Sequence, residues 1–196
     1  MKRLPLAFAL LLTVITLQSC LLFRTIVVED DVVNSTSRIR AEFEYRVAKE
    51  WSSPLIAVTQ TVIRETGKDT TVGIRIFDRV LLNPNSFRLE NRVYLLIDGK
   101  PFQANVEDVQ FEHFSTINEK RKDVLTADST KVSVVTGFDR NESNLYKLTY
   151  MVNPQTVEKI KTCSILQFRY YAGPDMITTS MNRWELNILK KMLEKN

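Results

Sequence analysis

The chain has 196 residues, with 27 Lys and Arg against 23 Asp and Glu, and a formal net charge of +4. The acidic and basic residues are interspersed, which disfavours nucleic-acid binding because that function needs a clustered basic stripe. The length suits one ordinary domain with its own core and is short for two.

The first residues have the pattern of a bacterial export signal. Lys2 and Arg3 form a cationic head, residues 4–17 form an apolar core, and small residues follow. The core is too short to cross a hydrocarbon layer of roughly 30 Å, which takes about 20 apolar residues. Because residues 20–23 extend the apolar run as far as Arg24, an uncleaved anchor is the alternative interpretation.

Leu17-Gln18-Ser19-Cys20 resembles the lipobox of bacterial lipoproteins, in its Bacteroides-like version. The resemblance implies cleavage between Ser19 and Cys20, with diacylglycerol on the Cys20 thiol and an acyl chain on the new amine. Such chains, at about 0.8 kcal/mol per buried methylene, would hold the protein on a membrane. The implied organisation is a signal peptide over 1–19, a lipidated, membrane-proximal segment over 20–37 and a β-rich domain with a terminal helix over 38–196.

The residues after Cys20 favour the inner leaflet of an outer membrane, with the domain in the periplasm. In the best-known sorting rule, Asp directly after the lipidated Cys retains a lipoprotein in the inner membrane, whereas this chain has Leu21. Surface export in Bacteroides-like lipoproteins resembles a different rule, an acidic cluster within the first few residues after Cys. The acidic residues of this chain come later, at positions 29–31, and the apolar residues 21–23 suit the membrane interface.

Alternating apolar and polar residues predict a mainly β domain. Residues 39–47 have an apolar side chain at every second position, the period of a half-buried strand. A helix over about 38–50, giving an α+β domain, is the alternative, because Ile39, Phe43 and Val47 also lie four apart. Residues 55–66 and 71–80 also have strand composition.

Turn residues indicate how the later strands are joined. Asp98-Gly99-Lys100 predicts a tight hairpin between residues 92–98 and 101–106. After a further β stretch at 109–114, residues 116–129 are polar and indicate an irregular segment. Residues 131–138 and 145–152 predict a second hairpin, and residues 163–172 predict a last strand before Gly173-Pro174.

Capping residues predict two helices. Asn153 and Pro154 are typical of a helix start and predict a short helix to about Lys161. Asn182, with Glu185 three residues later, predicts a capped C-terminal helix. We expect its apolar stripe, including Trp184 and Leu189, to pack on strands. The pattern as a whole predicts a single antiparallel β-sandwich or barrel-like domain with a C-terminal helix.

The sequence lacks the residue patterns of common catalytic and metal sites. His113 is the one histidine, which excludes a histidine-rich metal site, and its place in a predicted strand favours a structural role. Residues 139–143 match the first half of a calcium loop, but Asn144 replaces the required Gly. With Cys20 lipidated, Cys163 has no disulfide partner in the chain and is expected to be a small buried residue in a strand. We therefore expect no metal, no cofactor and no catalytic residues.

Two surface features remain as candidates for binding or modification. Tyr170 and Tyr171, at the end of a predicted strand, are a possible aromatic binding patch, although packing under the C-terminal helix is the alternative. Thr70 and Ser129 each follow Asp and precede Thr, which resembles the Bacteroides-type O-glycosylation signal.

Three functional hypotheses follow from these observations. The first is a non-catalytic, membrane-anchored envelope lipoprotein that is a binding or assembly module for a protein or glycan partner. The second is a glycan-active enzyme that uses two carboxylates in one cleft, about 5 to 9.5 Å apart. The third is a structural component of an envelope complex, which a large exposed apolar surface or a homo-oligomer would favour. No nucleic-acid partner is expected.

Overall fold

The computed structural model describes most of the chain after residue 25: residues 26–31, 33, 36–46, 53–66, 74–125, 127–128 and 130–194. The predicted lipobox and the two predicted glycosylation sites, Thr70 and Ser129, lie outside the described residues. The strands are β1 (Val27–Asp31), β2 (Thr36–Arg46), β3 (Leu55–Thr66), β4 (Ile74–Leu82), β5 (Leu89–Ile97), β6 (Lys100–Gln103), β7 (Asn105–Leu125), β8 (Lys131–Val152), β9 (Leu166–Ala172) and β10 (Asp175–Ser180), and the helices are α1 (Pro154–Thr162) and α2 (Arg183–Glu194).

The strands form two antiparallel sheets around one core. The large sheet has the order β1-β2-β3-β4-β8-β7 and curls into a half-barrel, and the small sheet has the order β10-β9-β5-β6. The chain passes from one sheet to the other at Ala104, whose amide donates to the carbonyl of Val93 over 2.9 Å. The predicted mainly β, antiparallel fold with a C-terminal helix is confirmed.

Strand β2 shows why the period-two pattern prevails over the helical one. Ile39, Ala41, Phe43 and Tyr45 are all buried, and the residues between them are more exposed. A helix would turn these side chains around its axis, whereas a strand points all four at the core. The alternative of a helix at about 38–50 is therefore wrong for residues 36–46. The sheet also takes in residues 27–31, which the sequence assigned to the membrane-proximal segment, because β1 pairs with β2.

The helices begin where the capping residues predict. The Asn153 side chain accepts from the amide of Thr156 over 2.8 Å at the start of α1. At α2, Asn182 Oδ1 accepts from the Glu185 amide, and Glu185 Oε2 accepts from the Asn182 amide, both over 2.9 Å, which is a complete capping box. Cys163 is buried as predicted, but it caps the C-terminus of α1 and is not part of a strand.

Helix α2 packs its apolar stripe on the core but leaves its tryptophan outside. Leu189 is buried, as predicted, whereas Trp184 is 51% exposed, so the prediction for that residue is wrong. Trp184 lies two residues before the buried Leu186, about 200° around a helix of 3.6 residues per turn, and therefore points away from the core. At the other end, Arg64 Nη1 donates to the carbonyls of Met192 and Leu193 over 3.2 and 3.1 Å and joins the helix to β3.

The second predicted hairpin does not form. Residues 131–152 are one strand, β8, which pairs with β7 along almost its whole length, and residues 116–125 are strand and not irregular. The sequence suggested a break because the alternation of apolar residues is lost there. Apolar and polar side chains alternate along a strand when one of its faces lies on a core, and this part of β7 and β8 lies beyond the core. Neither described helix is long and apolar enough to cross a membrane.

Candidate functional site

A closed polar cluster lies in the centre of the half-barrel. Asp78 on β4 accepts from Tyr150 Oη over 2.8 Å, from Tyr170 Oη over 2.6 Å and from Gln60 Nε2 over 3.0 Å. Tyr45 Oη donates to Gln60 Oε1 over 3.3 Å. Burial raises the pKa of Asp78 to about 6, although the three hydrogen bonds favour the charged form. Burial, together with the charge of Asp78, also raises the pKa values of Tyr150 and Tyr170 well above their usual range.

This cluster is a packing feature and cannot contact a ligand in the structure as it stands. Asp78 and Gln60 are at most 1% exposed, and Tyr150 and Tyr170 are fully buried. A buried carboxyl is tolerated when donors surround it, and here three donors do so. The cluster therefore fixes how the two sheets face each other, since Tyr170 belongs to the small sheet and Asp78 to the large one.

The two tyrosines of the expected aromatic patch lie on opposite faces of β9. Tyr170 faces the core, so the patch does not form as the sequence suggested. Tyr171 faces outward, where its ring meets Tyr94 edge to face at 5.9 Å and lies 5.5 Å from the Arg92 guanidinium. The period-two geometry of a strand separates neighbouring side chains in this way.

Two cavities lined by described residues open at the surface, and neither of these two brings two carboxylates together. The first, of about 380 Å³, lies where β6, β7 and the start of α1 meet, and no acidic residue lines it. The second, of about 550 Å³, lies beside the end of β4, and Glu142 is its one acidic lining residue. These cavities give no geometric support to the glycan-active enzyme.

The residues considered for metal or nucleophilic chemistry are also dispersed. Residues 139–143, the partial calcium loop, lie inside β8 and not in a loop. His113 Nδ1 is 2.8 Å from Asn144 Oδ1, a structural contact between β7 and β8. Burial raises the pKa of the Cys163 thiol, which disfavours the reactive thiolate. No cluster of His, Cys, Asp or Glu that could hold a metal occurs within the described part of the chain.

The surface feature that stands out is a two-stranded ribbon formed by residues 114–125 of β7 and 131–143 of β8. Strand β4 pairs with β8 only as far as Asn144, so from that point outward the two strands have only each other in the described part of the chain. Twelve residues at about 3.3 Å each give the ribbon a length of roughly 40 Å. It extends the sheet well beyond the core.

The root of the ribbon is held in place by Asn144. Besides contacting His113, Asn144 donates from Nδ2 to the carbonyl of Pro84 over 3.1 Å, in the loop after β4. The ring of Phe111 lies 5.0 Å from that of the buried Tyr146, which continues the core toward the ribbon. The ribbon is thus joined to the domain by side-chain contacts as well as by its two strands.

Both faces of the ribbon carry exposed apolar side chains. Paired residues of antiparallel strands share a face, and alternate residues along a strand change face. The inner face, which continues the core-facing side of the sheet, carries Ile117, Leu125, Val135 and Phe138. The outer face carries Phe114, Val124, Val132 and Val134. Ile117 and Phe138 are each 66% exposed.

The charges of the ribbon are largely matched within it. Its ion pairs join Lys120 to Asp139, Arg121 to Glu119, Lys131 to Asp123 and Arg140 to Glu142, at 2.6 to 2.8 Å. Exposed pairs of this kind contribute little to stability, typically below about 1 kcal/mol each. They leave the ribbon close to neutral, so its exposed apolar side chains are the feature that distinguishes its surface.

Sequence reasoning missed the ribbon, although one signal was available. Residues 132–138 read Val-Ser-Val-Val-Thr-Gly-Phe, a strand-forming run without charges, and Ile117 interrupts the polar segment opposite. These residues indicated strands, but no periodicity indicated which strand would pair with which. Comparison with protein-family models, with curated proteins and with solved structures finds no match for this chain.

Proposed function

We propose that this chain is a membrane-anchored envelope lipoprotein whose β domain is a binding or assembly module, and that the ribbon contacts a protein partner. The observation that carries the proposal is the pair of apolar faces on a ribbon that extends beyond the core. An isolated two-stranded hairpin is at best marginally stable in water, and apolar side chains exposed to water make it less favourable still. A partner that covers these faces would remove the apolar side chains from water and so stabilise the ribbon.

The chemistry of the ribbon favours a protein over a glycan. Its exposed apolar side chains are mainly aliphatic, with Phe114 and Phe138 as its aromatic residues. Aliphatic and aromatic side chains together are typical of the apolar centre of a protein interface. A glycan site would present aromatic faces beside several convergent polar groups, and the Tyr171 surface is closer to that description than the ribbon is.

The proposed anchor places the ribbon away from the attachment point. Six residues lie between Cys20 and Val27, the first residue of β1, so the distance from Cys20 to Val27 is at most roughly 25 Å. Strand β1 is one edge of the large sheet, and β7 is the opposite edge. A lipid on Cys20 would therefore hold the β1 edge near the membrane and leave the ribbon edge directed at other envelope components. We place the lipid in the inner leaflet of an outer membrane, with the domain in the periplasm.

The anchor is tested by lipid labelling and fractionation of cells that express the full chain. Cys20→Ala is expected to abolish lipid incorporation and to release the protein into the soluble fraction. Cys163→Ala is the matched control and should leave both unchanged. Labelling that persists in the Cys20→Ala variant would refute lipidation, and removal of the domain from intact cells by external protease would refute the periplasmic location.

The ribbon is tested by photo-cross-linking in intact cells, with the cross-linker placed at Ile117 or Phe138. We expect one discrete adduct with another envelope protein from both positions. Met176 on β10 is a matched control site, because it is also 66% exposed but lies outside the ribbon. The paired variants Ile117→Ser and Phe138→Ser should weaken partner recovery at least tenfold without lowering the thermal midpoint. Equal adducts from Met176, or unchanged recovery, would count against the ribbon as the binding element.

A further inference from the structure

The two long edges of the ribbon differ in how well they are protected against pairing with a strand of another chain. On β7, residues 119–123 are five charged residues in succession, and charges are a common means by which proteins block edge-to-edge pairing. On β8, residues 132–138 contain no charge and no proline. Two of the other edges have protection of their own: β1 carries three acidic residues among five, and β6 has four residues including Pro101.

The unprotected part of β8 is a short, regular strand next to a bulge. The register shifts between Lys120 and Arg121, so that Thr136 is the extra residue on β8. Its Oγ1 donates to the Lys120 carbonyl over 3.2 Å, which holds the bulge in place. Residues 131–135 therefore form five regular positions with one edge on β7 and the other open, within the residues that the structure describes.

We propose that residues 131–135 of β8 pair antiparallel with the same residues of a second copy of this chain, about a two-fold axis at Ser133. An open strand edge binds another extended strand through backbone hydrogen bonds. Two antiparallel copies of one segment are self-complementary, as a two-fold interface requires. In this register Ser133 faces Ser133 of the second copy, and Val132 faces Val134 of the second copy.

The side chains on the outer face of the ribbon support a second copy of this chain as the strand that pairs with β8. Val124 is paired with Val132 within one chain, and Val134 is next along the same face. Joining two copies would place six valines, three from each chain, on one face of a four-stranded sheet. Each of these valines is exposed in the single chain, and Val132 and Val134 would each gain a facing apolar neighbour from the second copy. No like charges would meet, because Lys131 faces Val135 of the second copy.

The interface is small, so the pairing is expected to be weak in solution and stronger on a membrane. Five residue pairs bury less than the roughly 1,200 Å² typical of stable complexes. Anchoring through Cys20 would confine the chains to a surface and raise their effective concentration. The inference uses the proposed anchor for this step and the ribbon as the interaction element, while the paired edge itself is independent of any other partner.

The test is disulfide trapping of the full-length, lipidated chain in intact cells with copper–phenanthroline as oxidant. Facing residues of antiparallel strands have Cα atoms about 4.5 to 5.5 Å apart, which suits a disulfide. Ser133→Cys is therefore expected to give a covalent dimer at least tenfold more abundantly than Asn118→Cys, an exposed position on β7 of the same ribbon. Cys163 is buried and should not contribute.

The register has its own check in a second pair of variants. Added to Ser133→Cys, Val134→Lys should reduce the covalent dimer. Co-expression with a chain carrying both Ser133→Cys and Val132→Asp should restore it, because positions 134 and 132 face each other across the axis. Circular dichroism of each variant verifies folding.

Trapping no greater than at position 118, or no rescue by the charge pair, would overturn the inference. An adduct of position 133 with a different protein would overturn the second copy as occupant. Neither result would bear on the partner binding tested at Ile117 and Phe138. If that binding is absent while the dimer still forms, only the proposed function is refuted.

Discussion

Gln60 and Asp78 face each other as directly paired residues of β3 and β4, and Gln60 Nε2 donates to Asp78 Oδ1 over 3.0 Å inside the closed core. The same carboxyl accepts from Tyr150 and Tyr170, so that three strands of the large sheet and one of the small sheet meet at one side chain. The carboxyl is costly to ionise in this setting, and its pKa of about 6 expresses that cost.

The stability of the fold should therefore depend on pH through Asp78. Its folded-state pKa is raised from 3.8 to about 6, so the folded state binds the proton more tightly than the unfolded chain. The contribution to the free energy of unfolding is fully present below pH 4, falls as pH rises through 6, and is lost above it. The difference is roughly 3 kcal/mol at about 1.4 kcal/mol per pKa unit.

Urea unfolding at pH 4, 5, 6, 7 and 8 measures this contribution. The other carboxyls and basic groups also titrate, so the comparison is with Asp78→Asn, which cannot ionise. We expect the difference in unfolding free energy between the original chain and this variant to change by roughly 3 kcal/mol between pH 4 and pH 8. A constant difference across this range would show that Asp78 does not titrate in the folded state as described.

Tyr170 and Tyr171 offer a matched pair for the role of the buried hydroxyl. Tyr170→Phe removes one of three donors to the buried carboxyl and should cost about 1 to 3 kcal/mol of stability at pH 7. Tyr171→Phe keeps the ring on the outer face and should change stability by less than about 0.5 kcal/mol. Chemical denaturation of both variants provides the measurement. If both variants lose the same free energy of unfolding, the hydrogen bond from Tyr170 to Asp78 does not contribute measurably to stability.

The sequence predicts the parts of this fold in which each strand has one side on the core. In β2 and β3 the alternation of side chains reflects that environment directly, and the Asp98-Gly99 turn determines one hairpin, with φ of 48° and 80° at its two residues. The N-caps of α1 and α2 depend on contacts within three residues, so they too could be read from the sequence.

The ribbon and the Asp78 cluster were not predictable in the same way. The cluster joins residues as far apart as Tyr45 and Tyr170, and nothing in the sequence near Asp78 indicates that it is buried. In the ribbon, residues 116–125 and 131–143 have no core to impose alternation, so the pattern that reveals strands is missing. Cross-strand pairs hold them together, and such pairs become visible only when the register is known.

Gly173 makes a specific demand on the turn between β9 and β10. Its φ is +59°, and a Cβ atom at this position would lie 2.6 Å from the Phe87 ring. Gly173→Ala should therefore destabilise the domain by roughly 1 to 3 kcal/mol through backbone strain and the clash together. The double variant with Phe87→Ala should recover part of the loss, because it removes the contacts with the ring and leaves the contact with the Cβ of residue 87, at 2.9 Å, and the backbone strain. Thermal unfolding of Gly173→Ala, Phe87→Ala and the double variant separates the contribution of the ring from the rest, and no recovery in the double variant would argue against the ring contact.

The capping box of α2 should determine how firmly the C-terminal helix closes the core. Asn182 Oδ1 accepts from the amides of Trp184 and Glu185, both over 2.9 Å, and these donors have no partner within the helix itself. Asn182→Ala removes the acceptor and should cost about 1 kcal/mol, within the usual range of 0.5 to 2 for a lost cap. Asn182→Asp keeps the acceptor and adds a charge that the helix N-terminus favours, so we expect it to retain or slightly raise stability. Hydrogen exchange of the Glu185 amide reports the same event locally: it should accelerate in Asn182→Ala and stay slow in Asn182→Asp. If both variants lose stability equally, the side-chain oxygen is not what holds the helix start.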